Sequence, residues 1–414
     1  MRKDRRQKQE KDLKTLIGRV WKGVSHYRAK MEDLGLTPAD IRTLDDLQRL
    51  PFTTKNDLRD TYPDGLLACE KHEIVRYHAS SGTTGKPTVV AYTAEDLRLW
   101  SRAMASCLET AGIISRDVIQ IAYGYRLFTG GLGLHAGAEE IQAAVIPASG
   151  GFLQRQILLM KDLKTTVLAC TPSYALKLSE MLQSDSEELS LRIGIFGAEP
   201  WSEELRRTLE HRLAITALDI YGLSEIMGPG VAVECRCKKG LHLVDDLFLA
   251  EIMDPETGKP LPDGKEGELV ITTLRKEALP MIRYRTRDIT RIIPGDCECG
   301  SPRPRIARIR GRFDEMLIIR GVNVFPAQIE TALGRVPGLS HHYYLEVTGS
   351  EGHRDLHVTA ESLEFLSKEA IERLRYRAAG KIHGLLGIRT ELHLLPPGSI
   401  ERSEGKSQRI KTRI

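Results

Sequence analysis

Between residues 165 and 225 the chain alternates short apolar runs with helical periods: TTVLAC, YALKLSEMLQ, RIGIFG, SEELRRTLEHRL and ALDIYG. That order predicts strand, helix, strand, helix, strand. Runs that are apolar on both faces and joined by helices call for a parallel sheet covered on each side. Three polar turns fall at the carboxyl ends of those strands: TPS at 171–173, GAEP at 197–200 and YGLSE at 221–225. Open α/β sheets bind their ligands at such ends.

The chain has 414 residues, too many for a single core, so two domains are expected. After residue 245 the pattern changes to strands and turns, with DPETG and LPDGKEGELVITT reading as a β-rich segment with hairpin connections. A boundary falls near GRFDEM. The fold expected is therefore α/β: a large domain over 1–313, with parallel α/β sheets plus a β-rich part, and a small mobile α+β domain over 314–414.

Charge decides little, because a formal net charge of +4 admits anionic ligands such as nucleotides without indicating a nucleic-acid binder. No run of about 18 apolar residues is present, so no membrane span is expected. The basic start, MRKDRRQKQEKDLK, lacks the apolar stretch of a secretory signal, and both basic ends are expected to be partly disordered. Seven cysteines leave one over if disulfides form, and a reducing cytoplasm fits best.

The stretch SSGTTGKPTVV, 80–90, gathers hydroxyls, glycines and a lysine after a predicted strand, EIVRYHA, and ahead of a helix capped by Thr93 with Asp96. Glycines let backbone N–H groups turn toward an anion, and hydroxyls and an ammonium add donors. The Walker template fails, since Ser80 and Pro87 stand where it needs Gly and Ser or Thr. By residues alone this is a phosphate loop of another kind or a plain turn.

Laid out in order, the motifs HASSGTTGKPT (78–88), IAYGYRLFTGGLG (121–133), GIFGAEPWS (194–202), YGLSEIMGPG (221–230), IRYRTRDI (282–289), RIRGRFDEMLIIRGVNVFP (308–326) and RSEGK (402–406) resemble those of adenylate-forming enzymes, and specifically the phenylacetate-CoA ligase family. The resemblance covers nearly the whole chain. It implies activation of a carboxylic acid by ATP and magnesium to an acyl-adenylate with loss of pyrophosphate, then transfer of the acyl group to the thiol of coenzyme A.

Through this resemblance Ser81, Gly82, Thr83, Thr84, Gly85 and Lys86 match a triphosphate loop holding the departing pyrophosphate. Glu225, preceded by Ser224, matches a magnesium-holding carboxylate, a hard ligand suited to a hard cation. Tyr221 and Gly222 would border the adenine on one side, and Ala198, Glu199 and Pro200 on the other. Asp288 would accept both ribose hydroxyls, with Arg310 on phosphate or ribose. Lys406 would stabilise charge as the carboxylate attacks the α-phosphorus, although Glu401 stands where the family commonly has proline. Asp314 matches the hinge of a domain rotation between half-reactions, and 321–326 would line the thiol tunnel.

For the acid, Tyr123, Tyr125 and Phe128 offer flat apolar surface, and Gly130 and Gly131 give room. Arg126 replaces a glycine of many relatives and is expected to face solvent.

Two clusters of soft ligands, Cys235, Cys237 and His242 with Cys297 and Cys299, stand about 55 residues apart. Spacing alone leaves a metal site and reduced free cysteines equally open. The resemblance favours Cys235, His242, Cys297 and Cys299 as a tetrahedral zinc set, structural because four protein ligands leave no open position. Two rival functions remain: loading of an aryl acid onto a carrier-protein thiol, which shares the adenylation motifs, and a zinc-containing nucleic-acid binder, which does not explain the ordered loops. The partners expected are an aryl acid, ATP and CoA, without nucleic acid or membrane, and the reading admits a homodimer.

Overall fold

The strand–helix alternation forms as the sequence dictates. In the computed structural model Val167–Cys170, Ile193–Gly197 and Thr216–Leu223 are strands, with the helices Pro172–Leu182 and Glu203–Leu213 between them. Val167–Cys170 and Ile193–Gly197 are buried along their whole length, as strands covered on both faces must be. The structure describes residues 2–80, 87–182, 189–320, 322–349, 354–402 and 409–412. Among them, no helix is long and apolar enough to cross a membrane.

The chain divides into two compact units, the first made of Met1–Ser149, Thr165–Ala169 and Leu218–Arg308. In it the strand Val118–Ile121 pairs in parallel with Ala144–Ile146 on one side and with Val167–Cys170 on the other. The helix Ala94–Thr110 starts at the predicted cap: Thr93 Oγ1 accepts from Asp96 N at 3.1 Å while Asp96 Oδ2 accepts from Thr93 N at 3.0 Å. Strand Ile220 to Leu223 turns back on Gly228–Glu234 antiparallel, so the parallel pattern ends at the YGLSE motif. The predicted β-rich segment is an antiparallel set, Phe248–Met253 beside Gly267–Thr273 beside Tyr284–Thr290.

The N-terminal stretch corrects an expectation, because Arg2–Gly23 is a 22-residue helix rather than a disordered tail. Leu13, Leu16, Ile17 and Val20 recur at helical spacing and are buried, while Gln9 donates to the Asp245 carbonyl at 2.6 Å and Arg5 pairs with Asp245 at 2.9 Å. An apolar stripe this narrow is hidden by the surrounding charge when the segment is read by composition.

The second unit comprises Gly150–Lys164, Cys170–Ala217 and Ile309–Ile414. Its four-stranded sheet runs Glu391–Leu395, Asp355–Ser362, Leu339–Thr348, Ile410–Thr412, mixing one antiparallel with two parallel pairings. The helices Pro326–Gly334 and Lys368–Leu386 supply Ile329, Leu333, Leu374, Ala378 and Ile382 to a core shared with Leu345, Val358 and Leu392 of the sheet. Glu330 is buried and accepts from Ser202 N at 2.9 Å, at the cap of Glu203–Leu213. Helices and strands thus mix in the last hundred residues, as the predicted α+β segment requires.

Candidate active site

In the first unit Tyr221 lies on the strand Thr216–Leu223, Glu225 just beyond its end, and Asp288 on Tyr284–Thr290, a strand of a different sheet. Tyr221 and Asp288 are both buried, and the Tyr221 hydroxyl donates to Asp288 Oδ2 at 2.6 Å. Asp288 N in turn donates to Thr286 Oγ1 at 3.0 Å. A short bond from a phenol fixes which face a carboxylate presents, and so preorganises an acceptor for two hydroxyls. Gly222 is a close-approach position: a Cβ there would lie 2.1 Å from the Gly228 carbonyl oxygen, so no side chain fits where this strand folds back.

Glu225 is buried at 8 % exposure, and Ser224 Oγ shares a hydrogen bond with Thr129 Oγ1 at 3.0 Å. Beneath this turn lies Lys276, which sequence reasoning missed. The residue is 1 % exposed, and its ammonium donates to the carbonyls of Glu225 at 3.3 Å and Ile226 at 2.9 Å and sits 4.9 Å from the centre of the Tyr92 ring. Burial pulls its pKa down from 10.5 to about 8, partly opposed by the carboxylates of Asp96 and Glu225. Asp96, whose pKa is raised by burial, accepts from Glu277 N at 2.6 Å and Ala278 N at 2.9 Å. The capping residue of one helix therefore anchors the loop that carries Lys276. In TTLRKEALP nothing separates Lys276 from a solvated lysine, and only burial reveals it.

The acid-pocket candidates cluster at the start of the helix Thr129–Glu140. Gly130 lies against Tyr123, and a Cβ at Gly131 would meet the Gly124 carbonyl at 2.8 Å and the Tyr125 ring at 3.0 Å, so the glycines let the aromatic loop fold closely over the helix. The Tyr125 hydroxyl lies 3.3 Å from His135 Nδ1, and burial raises the phenol's pKa. Phe128 and Arg126 are exposed, the latter as expected.

In the second unit, Ala198 adopts φ +72°, a left-handed conformation that is strained for a residue with a Cβ. Glu199 Oε1 accepts from Ser173 N at 2.7 Å and from the Ser173 hydroxyl, so the GAEP turn is tied to the TPS turn named in the sequence. Arg310 stacks 5.4 Å from the Phe325 ring centre. Asp314 is exposed and forms a two-point pair with Arg312, at 2.9 and 2.8 Å.

The soft-ligand clusters of the first unit do converge. Cys235, His242, Cys297 and Cys299 place one ligand atom each within 4.8 Å of every other. Cys235 Sγ and Cys297 Sγ are 3.7 Å apart, and Cys299 Sγ lies 3.4 Å from His242 Nε2. A tetrahedron with Zn–S near 2.3 Å and Zn–N near 2.05 Å has edges of roughly 3.8 and 3.5 Å, so the set fits zinc. Turns closed by Lys238 N to Cys235 O at 2.9 Å and Gly300 N to Cys297 O at 3.0 Å bring the thiols round, with Gly300 at φ +79°. Cys237 falls outside the group, and all seven cysteines are free thiols. Burial and the charges of Arg305 and Arg303 lower the His242 pKa to about 4, keeping the imidazole neutral as a ligand must be.

The candidates Ser81, Gly82, Thr83, Thr84, Gly85 and Lys86, and the lysine Lys406, lie outside the described residues. So does Gly321.

Comparison with known proteins places this geometry in a class. The model of the AMP-binding enzyme family matches residues 30–274, and that of the AMP-binding enzyme C-terminal domain matches 321–413. The phenylacetate-coenzyme A ligase of Pseudomonas putida is 47 % identical over 409 residues, covering 97 % of this chain and 92 % of that protein. That of Escherichia coli strain K12 is 48 % identical over 411 residues, covering 97 % and 93 %. The crystal structure of a 2-hydroxyisobutyryl-CoA ligase in the postadenylation state is similar with a TM-score of 0.93 at 26 % identity, covering 98 % of this chain and 89 % of that one. The chain belongs to the phenylacetate-CoA ligase family of AMP-binding enzymes.

Proposed function

We propose that this chain is an AMP-forming acid–CoA ligase that joins an aromatic carboxylic acid, phenylacetate or a close relative, to coenzyme A. The observation that carries the reading is the near full-length similarity to four phenylacetate-CoA ligases at 46–48 % identity. In the first half-reaction a carboxylate oxygen attacks the α-phosphorus of ATP and pyrophosphate leaves. In the second the CoA thiol attacks the acyl carbon and AMP leaves.

On this reading Asp288, oriented by Tyr221, takes the ribose hydroxyls, and Tyr221, Gly222 and 198–200 border the adenine. Glu225 and Ser224 would hold magnesium, which when bound neutralises phosphate charge; a buried carboxylate beside two hydroxyls, its backbone pinned by Lys276, is a donor set that fits a hard cation. Residues 81–86 receive the pyrophosphate, Lys406 stabilises the adenylation transition state, and Arg310 contacts phosphate or ribose. Tyr123, Tyr125, Phe128, Gly130 and Gly131 receive the aryl group. The division into 1–313 and 314–414, turning about Asp314, separates the half-reactions. Cys235, His242, Cys297 and Cys299 hold a structural zinc, supported by their tetrahedral spacing. Seven free thiols agree with a cytoplasmic setting, and a homodimer is the assembly we put forward for test by sedimentation.

The test is AMP formation from ATP and magnesium across a panel of aryl acids headed by phenylacetate, with and without free CoA. The reading predicts turnover that needs both acid and CoA and is lost in Lys406→Ala. Pyrophosphate exchange with acid but without CoA-dependent turnover would replace CoA by a carrier-protein thiol as acceptor.

A further inference from the structure

A second group of metal-ligating side chains sits far in sequence from the cysteines and has no part in the ligase reading. His357 and Glu391 are register partners on the parallel strands Asp355–Ser362 and Glu391–Leu395, and His393 is two residues beyond Glu391 on the same face. The alternate residues Leu356, Val358 and Leu392 point into the core, so the three polar side chains share the outer face of the sheet. Their ligand atoms all lie within 4.8 Å of one another. His357 Nδ1 is 3.0 Å from Glu391 Oε2, and His393 Nε2 is 3.5 Å from Glu391 Oε1. Zinc bound by nitrogen and oxygen at about 2.0–2.2 Å has tetrahedral edges of roughly 3.4 Å, and each imidazole lies near that distance from one of the two Glu391 carboxylate oxygens.

The outer contact of His357 fits ligation. Thr348 Oγ1 lies 2.8 Å from His357 Nε2, across the neighbouring strand Leu339–Thr348. If that nitrogen carries the proton and donates to the hydroxyl, Nδ1 presents its lone pair toward Glu391 and His393, as metal-bound histidines are commonly arranged. The two imidazoles lie nearly parallel, 14° apart with centres 6.5 Å from each other.

We infer that His357, Glu391 and His393 form a binding site for a borderline divalent cation, zinc above all, with the remaining coordination position open to water. The ion bridges two strands of the small sheet and is independent of the cysteine cluster. Two imidazoles and one carboxylate exclude calcium and magnesium as preferred occupants, since those ions select all-oxygen sets.

The full chain, stripped with a mild chelator, is titrated with zinc in competition with a chromophoric indicator, and separately with cobalt. The site predicts one zinc equivalent beyond that of the cysteine cluster, and cobalt bands at this site without thiolate charge-transfer absorption. His393→Ala and His357→Ala each remove that equivalent, Thr348→Val weakens it by about tenfold, and Cys297→Ser leaves it in place. Zinc uptake equal in the parent and both histidine variants, or no equivalent beyond the cysteine cluster, overturns the inference and leaves the three residues as a surface ion-pair network.

Discussion

Replacing Tyr221 with Phe removes a single hydroxyl from the nucleotide site and leaves its packing volume in place. That hydroxyl donates to Asp288 Oδ2 at 2.6 Å, with Tyr221 and Asp288 only 9 % and 8 % exposed. A hydrogen bond to a charged acceptor contributes about 1.5–3 kcal/mol. If Asp288 accepts the ribose hydroxyls, losing this donor frees the carboxylate to turn, and it must be reoriented when ATP binds. Taking the lower end of that range as lost binding, KM for ATP rises about tenfold, because 1.4 kcal/mol is a factor of ten. The KM values for acid and CoA stay within twofold, since neither ligand touches this pair. The assay is steady-state AMP formation at varied ATP with acid and CoA saturating, with thermal unfolding run beside it. Asp288→Asn, which keeps the shape and removes the charge, raises KM for ATP further. A folded Tyr221→Phe enzyme whose KM for ATP is within twofold of the parent refutes the ribose role of the pair.

Three further outcomes follow from named contacts. Lys276 has a folded pKa near 8, below its ordinary 10.5. The unfolded chain therefore binds the extra proton between those values, and the parent gains stability relative to Lys276→Met by up to about 1.4 kcal/mol per pH unit across that window; denaturant unfolding at pH 7, 8, 9 and 10 measures it, and parallel curves would refute it. Glu361, held down to about 2 by Arg402 and the Ile400 and Gly398 amides against the opposing cost of burial, contributes stability that is present above about pH 4.5 and lost as pH falls toward 2; Glu361→Gln flattens that acid limb in thermal unfolding. Cys297→Ser lowers zinc content by one equivalent in elemental analysis and the unfolding midpoint by roughly 5 °C or more.

The strand–helix order from 165 to 225 was legible because period and length both marked it, and the Thr93–Asp96 cap because its reciprocal bonds join residues three apart in the chain. The helix Arg2–Gly23 was not, since four buried apolar positions are diluted by twelve charged residues in a linear reading. Tyr221 and Asp288 could be named from motifs, yet their hydrogen bond joins residues 67 apart and exists only once strands of two different sheets are brought together. Lys276 carries no local signal at all: its role comes from complete burial beneath Glu225. His357, Glu391 and His393 were invisible for the same reason, because the pairing of strands 355–362 and 391–395 is what brings them to one point. The cysteines lay between these cases, with ligand types evident and convergence of 235 with 297 supplied by the fold.

The central claim is that the acid is activated by attack of its own oxygen on the α-phosphorus. Phenylacetate labelled with oxygen-18 in both carboxylate positions, incubated with ATP, magnesium, CoA and the enzyme, tests it by mass spectrometry of the nucleotide product. The account predicts AMP carrying one oxygen-18 for each acyl-CoA formed. Acyl-CoA accompanied by unlabelled AMP, or by ADP in place of AMP, would contradict it.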